Sequence, residues 1–351
     1  MELSLKQRKR NNADNLRNQN IELLRAYACI SVVLLHVNAW CFEIEKLTRT
    51  MRLANVIVNT LVRFAVPCFM LITGKYVFQN LSKHGVKCFY KKTIKKVIIP
   101  TLGFSIMYVV YTVLKGLLSN EWLLKDEMYK WLNGIPFGHM WYMYMLIGFY
   151  FIVPLLNLAR KNIPRRIWGI IGVGCVFLGS IFYNGNLVAP YWFFCWIQYV
   201  GYFILGDFAG GGKTNQSAPV FVWITCIISL IAMCLYSLKI GMMGIRYDFQ
   251  PQNILTAVYS VSVFIIFDNL KISKMPTIVE KIAKQSANIY YIHGLVVNIV
   301  VIIMNQWGLQ YVFPALFLIF TVVAVLIVSY MCGVCVDYTT RFFDKVNKTM
   351  G

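Results

Sequence analysis

The stretch LLRAYACISVVLLH, residues 23–36, decides the architecture. Apart from Arg25 and His36 it carries only residues that hydrocarbon accepts, and it belongs to an apolar run over roughly 21–42. A run of about 20 such residues crosses the bilayer core as a helix. An ionisable side chain in lipid is costly, so both Arg25 and His36 are expected to face the interior of a helix bundle. They stand eleven residues apart. At about 100° per residue, the second returns to within about 20° of the first, and roughly 16 Å separates them along the axis. Both therefore share one face. A guanidinium at the inner mouth can grip a phosphate in a forked contact. A neutral imidazole deeper in the membrane can take a proton from an attacking hydroxyl. The plainer alternative has Arg25 reaching for the headgroups while His36 bonds a neighbouring helix.

The rest of the chain reads the same way. Of 351 residues, 58% are hydrophobic and only 14% charged, which replaces water by lipid as the solvent of most of the surface. Further apolar runs fall at about 53–79, 94–115, 138–158, 168–183, 190–209, 218–238, 253–268, 287–305 and 311–336. The expected fold is an all-α integral membrane bundle of about ten transmembrane helices. A basic segment, 1–20, precedes a polytopic domain over 21–336, and a tail follows over 337–351. The net charge of +20 is scattered as short basic clusters between apolar runs, which argues for topology and against nucleic-acid binding. With the N-terminus inside, inner segments hold 23 Lys and Arg against eight outside, among them six over 83–96 and four over 271–284. The positive-inside rule then puts both termini in the cytoplasm. The first span lacks a small-x-small cleavage pattern and is expected to stay in place.

Other ionisable groups fall inside apolar runs: Arg63 and Lys75 in the second and His293 in the ninth, the last about 9 Å from the inner end of its span. Arg63 suits an oxyanion or a backbone carbonyl, and His293 a tunnel lining or a structural bond. Asp207 and Asp268 stand at inner ends, where a carboxylate can simply reach the interface. Lys75 and the cluster Lys91, Lys92, Lys95 and Lys96 share the expected cytoplasmic side with Arg25 and could form an electropositive mouth. His139, Trp141 and Tyr142 open the fourth span on the opposite side, as an aromatic belt or as a platform for a sugar. Trp122 and Trp131 in the outer loop allow the same two readings. The ten cysteines form no framework, and the C-x-x-C of Cys332 and Cys335 reads as packing in the last helix. AGGGKTN, 209–215, has Asp207 where a P-loop needs its first Gly, and the glycosylation-like triplets at 215–217 and 347–349 face the expected cytoplasm.

The Arg25-to-His36 spacing in the first helix resembles the signature of the acyltransferase-3 family of membrane acyltransferases. FAVPCFMLITGKYVF (64–78), KKTIKKVIIP (91–100), GHMWYMYMLIGFYFIVPLL (138–156) and IYYIHGLV (289–296) look like further family blocks, in order along nearly the whole chain. The resemblance implies ten helices and transfer of an acyl group, often acetyl, from cytoplasmic acyl-CoA to a hydroxyl of a surface or cell-wall glycan or its lipid-linked precursor. It also implies His36 as the catalytic histidine, with Arg25 binding the donor or supporting His36. One departure stands out. Where relatives carry Arg-x-x-Arg before the third helix, this chain has Thr93 and Lys96, and lysine lacks the planar fork of arginine.

The expected reaction takes acyl-CoA as donor substrate with no tightly bound cofactor and no metal, in the inner (cytoplasmic) membrane. Arg25, Lys75, Lys92, Lys95 and Lys96 would receive the CoA phosphates, and Arg63, His139, Trp141, Tyr142 and His293 would flank the acceptor. A polysaccharide exporter or flippase is the rival reading, although the chain shows no related halves.

Overall fold

The computed structural model describes residues 2–40, 42, 46–120, 124–185, 192–210, 217–243, 249–270, 272, 274–305 and 309–349. Most of these residues are helical, with no strand among them. The helices are α1 (Glu2–Trp40), α2 (Arg49–Leu61), α3 (Ala65–Thr93), α4 (Ile99–Leu118), α5 (Leu124–Leu132), α6 (Trp141–Asn162) and α7 (Arg165–Asn184). There follow α8 (Val200–Gly210), α9 (Val220–Met242), α10 (Ile254–Asp268), α11 (Thr277–Asn305), α12 (Leu309–Val312) and α13 (Pro314–Thr349). A π-helical turn, Ile94–Ile98, joins α3 to α4, and a 3-10 segment, Trp192–Gln198, leads into α8.

Seven helical stretches are long and apolar enough to cross a membrane, so the chain is an all-α, multi-pass membrane protein. Helix length and composition do not give the expected count of about ten. The runs at 53–79 and 94–115 both fall within one helical stretch, Arg49–Leu118. The runs at 190–209 and 253–268 form α8, of 11 residues, and α10, of 15. At 1.5 Å per residue these reach about 16 and 22 Å, short of the roughly 30 Å core. The lipid-facing side is written on α4, where Ile99, Leu102, Ile106, Val110, Leu114 and Leu117 recur every three or four residues and are all exposed.

The second run is not one helix. α2 ends at Leu61, residues 62–64 form a turn, and α3 starts at Ala65. Pro67 explains the break: it has no N–H to give the carbonyl of Arg63, and its ring crowds that carbonyl. Arg63 thus sits in the break. α3 kinks further on at Gly85, whose φ of 78° lies in the region that only glycine enters freely.

Backbone packing divides the chain into two compact units. The first comprises Met1–Val66, Thr214–Phe249 and Ile266–Gly351, the second Pro67–Lys213 and Gln250–Ile265. In the first, α1, α11 and α13 pack against one another, and α2 lies against α1 and α9. Polar side chains fasten these neighbours. Asn55 donates to the backbone and side-chain oxygens of Asn38 at 3.1 and 2.9 Å, and Asn38 returns a bond to the Asn55 carbonyl at 3.0 Å. Thr60 on α2 donates to Ser237 on α9 at 3.0 Å. On α11, Gln285 and Asn288 donate to Asp337 of α13 at 2.8 and 3.0 Å. Between lipid-bathed helices such bonds matter because apolar contact with a helix is hardly better than contact with lipid.

In the second unit α6 and α7 pack on the 3-10 segment, and α7 packs on α8. Small residues set the spacing where α3 meets α8: a Cβ on Gly74 would lie 2.0 Å from the Phe203 carbonyl oxygen, and one on Gly206 2.0 Å from that of Leu71. Asp207 is buried and accepts from Arg160 at 2.5 Å and from the Trp168 indole at 3.2 Å. This ion pair gives the inner-end carboxylate a structural occupation. Of the described cysteines only Cys29 and Cys68 are buried, and none forms a disulfide. Cys332 and Cys335 are exposed on α13. Trp122 and residues 211–216, with most of the P-loop-like stretch and of the 215–217 triplet, lie outside the described residues.

Candidate active site

Two helices of the first unit build the site. Arg25, from α1, and Ala283, from α11, line the same cavity, while eleven and ten residues later His36 and His293 come together. The register therefore advances in the same direction on both helices, and α1 and α11 run parallel. The cavity, of about 830 Å³, is bounded by Gln19, Glu22 and Arg25 on α1 and by residues from Lys274 to Ala287 at the start of α11. That size falls in the roughly 300–1,000 Å³ typical of small-molecule sites. Arg25 donates to Glu22 at 2.6 Å, and Lys284 to Glu280 at 2.6 Å. Both pairs are open to water, which screens them and leaves the cations exchangeable.

One helical face above the cavity, the imidazoles of His36 and His293 meet with ring centroids 5.1 Å apart and planes tilted by 37°. His36 also contacts Trp40, at 5.0 Å, and remains partly exposed. His293 is fully buried. Its Nδ1 approaches the carbonyl oxygens of Ile289 and Tyr290 at 3.1 and 2.7 Å. Two acceptors there require the ring proton on Nδ1, which leaves the lone pair on Nε2. Arg63, at the α2–α3 break, donates from Nε to Asn59 at 2.7 Å. Arg25, His36, Arg63 and His293 are thus all in the first unit, and His36 and His293 are in ring contact.

The helix that carries His293 begins before its apolar run does. Hydropathy starts the ninth span near residue 287, whereas α11 starts at Thr277. Its first three turns, TIVEKIAKQSA, are amphipathic and carry Glu280, Lys281 and Lys284, so hydropathy reads them as loop. The preceding Pro276 was the available helix-start signal. His293 consequently lies 16 residues, about 24 Å, from the start of its helix, while it stays six residues past the start of the apolar run. Lys274, Lys284, Asn59 and the Asn38–Asn55 pair were not singled out from the sequence. Nothing local distinguishes them from solvated or core positions.

The remaining candidates belong to the second unit. Lys75 is buried, its Nζ 6.0 Å from the ring centroids of Tyr76 and Phe264. Lys92 ends α3, and Lys95 and Lys96 lie in the π turn, all exposed. His139 is buried edge-on to Tyr108 and Phe137, at 5.3 and 5.7 Å. Trp141 packs on Tyr142 and, at 5.4 Å, on Tyr199, whose hydroxyl accepts from Gln252 at 2.6 Å. Trp131 donates to Tyr144 at 2.9 Å, so it is tied to α6. Asp268, in the first unit, is buried, and its carbonyl accepts from Asn20 at 3.4 Å.

Against known proteins, a family profile described as an acyltransferase domain matches residues 18–334, nearly the whole chain. No curated protein and no solved structure matches it.

Proposed function

The chain belongs to the acyltransferase-3 family, and we propose that it carries acyl groups across the membrane's chemistry as follows. The donor is cytoplasmic acyl-CoA, acetyl-CoA in the simplest case. The acceptor is a hydroxyl of a surface or cell-wall glycan or of its lipid-linked precursor. The cell's inner membrane is the site, with both termini in the cytoplasm. The observation that carries this reading is the pair of imidazoles 5.1 Å apart, one on α1 and one on α11, with Arg25 of α1 lining the cavity between the same two helices.

In this reading Arg25 holds a donor phosphate, and the pantetheine arm covers the roughly 16 Å up to His36. His36 accepts the proton of the acceptor hydroxyl as its oxygen attacks the thioester carbon. The carbon–oxygen bond forms, and Arg63 stabilises the oxyanion. Collapse breaks the carbon–sulfur bond, and the imidazolium returns the proton to the CoA thiolate. A second route passes the acyl group through His36 itself before the hydroxyl attacks. In either case His293, with its proton held by backbone carbonyls, positions the His36 ring.

Purified protein in nanodiscs, given acetyl-CoA radiolabelled in the acetyl group, is expected to consume it. Surface glycans from cells making His36→Ala should lack the mass of the acyl group that wild-type cells add. A wild-type protein that neither binds nor consumes acetyl-CoA, as an exporter would behave, overturns the reading.

A further inference from the structure

The cavity between α1 and the start of α11 holds more than Arg25. Lys274 and Lys284 share its lining, and among the described residues Lys274 makes no ion pair. Thr277, the first residue of α11, is also in the wall. The first amides of this helix to reach a backbone acceptor are those of Val279 and Glu280, both bonding the Pro276 carbonyl. The N–H groups of Thr277 and Ile278 therefore stand at the positive end of a 29-residue helix, the arrangement that receives phosphate. Gln19 adds a buried carbonyl oxygen that accepts no hydrogen bond, suited to an N–H or O–H of an organic ligand. Two carboxylates complete the lining, and each already occupies a cation: Glu22 holds Arg25 and Glu280 holds Lys284.

We infer that this cavity is the phosphate-ester subsite of the donor, with Lys274, Lys284 and the α11 N-terminus as its clamp, and with Glu22 and Glu280 as built-in counter-anions that an incoming phosphate displaces. The inference rests on the acyl-CoA reading and goes beyond it by naming residues on α11. Its physical content is a competition. A carboxylate carries one negative charge, whereas a phosphate monoester carries nearly two and offers three acceptor oxygens. Arg25 and Lys284 therefore gain by exchanging partners, and the displaced carboxylates turn to water. Removing a lysine should weaken the ligand, and removing a carboxylate should strengthen it. A cavity that only packs two helices would show neither response.

Full-length protein in zwitterionic phosphatidylcholine nanodiscs is titrated with CoA. Lys274→Gln/Lys284→Gln should weaken binding about tenfold or more, as expected for lost charge-assisted bonds, and Glu280→Gln should tighten it a few-fold. These lysines are exposed, so the substitutions spare the fold. Affinity for pantetheine, which has no phosphate, separates the cause: a loss in the lysine double variant as large as that for CoA would overturn the phosphate assignment. If the wild type binds CoA but the lysine and glutamate variants bind it equally well, the subsite is wrong while the acyl-CoA reading stands. If the wild type binds no CoA, the reading itself falls. If phosphatidylglycerol in the nanodiscs displaces CoA from the wild type and loses this effect in the lysine double variant, the cavity holds lipid headgroups, and the donor assignment is overturned.

Discussion

His36 and His293, from opposite ends of the chain, face each other with ring centroids 5.1 Å apart. His293 has its Nδ1 committed to backbone carbonyls, so the proposed reading gives ring placement to His293 and proton transfer to His36. His36→Ala should lower kcat/KM by about a hundredfold or more, the usual yield of a general base. His293→Ala should cost less, with a raised KM or an altered pH profile beside the fall in kcat. Steady-state kinetics on both variants check this. Equal losses, or a silent His36→Ala, would reverse the assignment.

Asn38 and Asn55 exchange three hydrogen bonds between α1 and α2. Interhelical bonds in membranes contribute on the order of 0.6 kcal/mol each, up to about 1.7. Asn55→Val should therefore lower the midpoint of thermal unfolding in detergent by a few degrees. The double variant Asn38→Val/Asn55→Val should be less destabilised than the sum of the singles, since no buried amide is left alone.

Arg160 and Asp207 form an ion pair in which the carboxylate is buried. Removing one partner of such a pair commonly costs about 3–5 kcal/mol, because a buried charge remains. Arg160→Ala should thus be more damaging than Arg160→Ala/Asp207→Asn, read as the fraction of protein that stays monodisperse after heating. If the single variant is the milder one, Asp207 is not held by this pair.

Gly74 and Gly206 let α3 and α8 approach until a Cβ would strike a carbonyl oxygen at 2.0 Å. Gly206→Leu should prevent that approach and leave little folded protein, whereas Gly103→Ala, where nothing lies within 4 Å, should be silent. Comparable yields of the two in size-exclusion chromatography would show that this crossing tolerates separation.

Hydropathy located nearly every helix, because each span must satisfy its own backbone in lipid and so declares itself locally. It failed where local composition and helix differ. The amphipathic opening of α11 is too charged to read as a span, and α8 and α10 are apolar yet short. The break at 62–64 could have been taken from Pro67, whose cost falls four residues upstream, on Arg63.

By itself the sequence determined that the chain lives in lipid and that Arg25 and His36 look the same way, since helical phase depends only on spacing along one segment. The partners were decided by the tertiary structure. His293 and the lysines of α11 reach that face only because α1 lies parallel to α11. Among helices that are all apolar, hydropathy does not rank one neighbour above another. The choice falls to shape and to a few buried polar bonds, which exist only once distant segments meet.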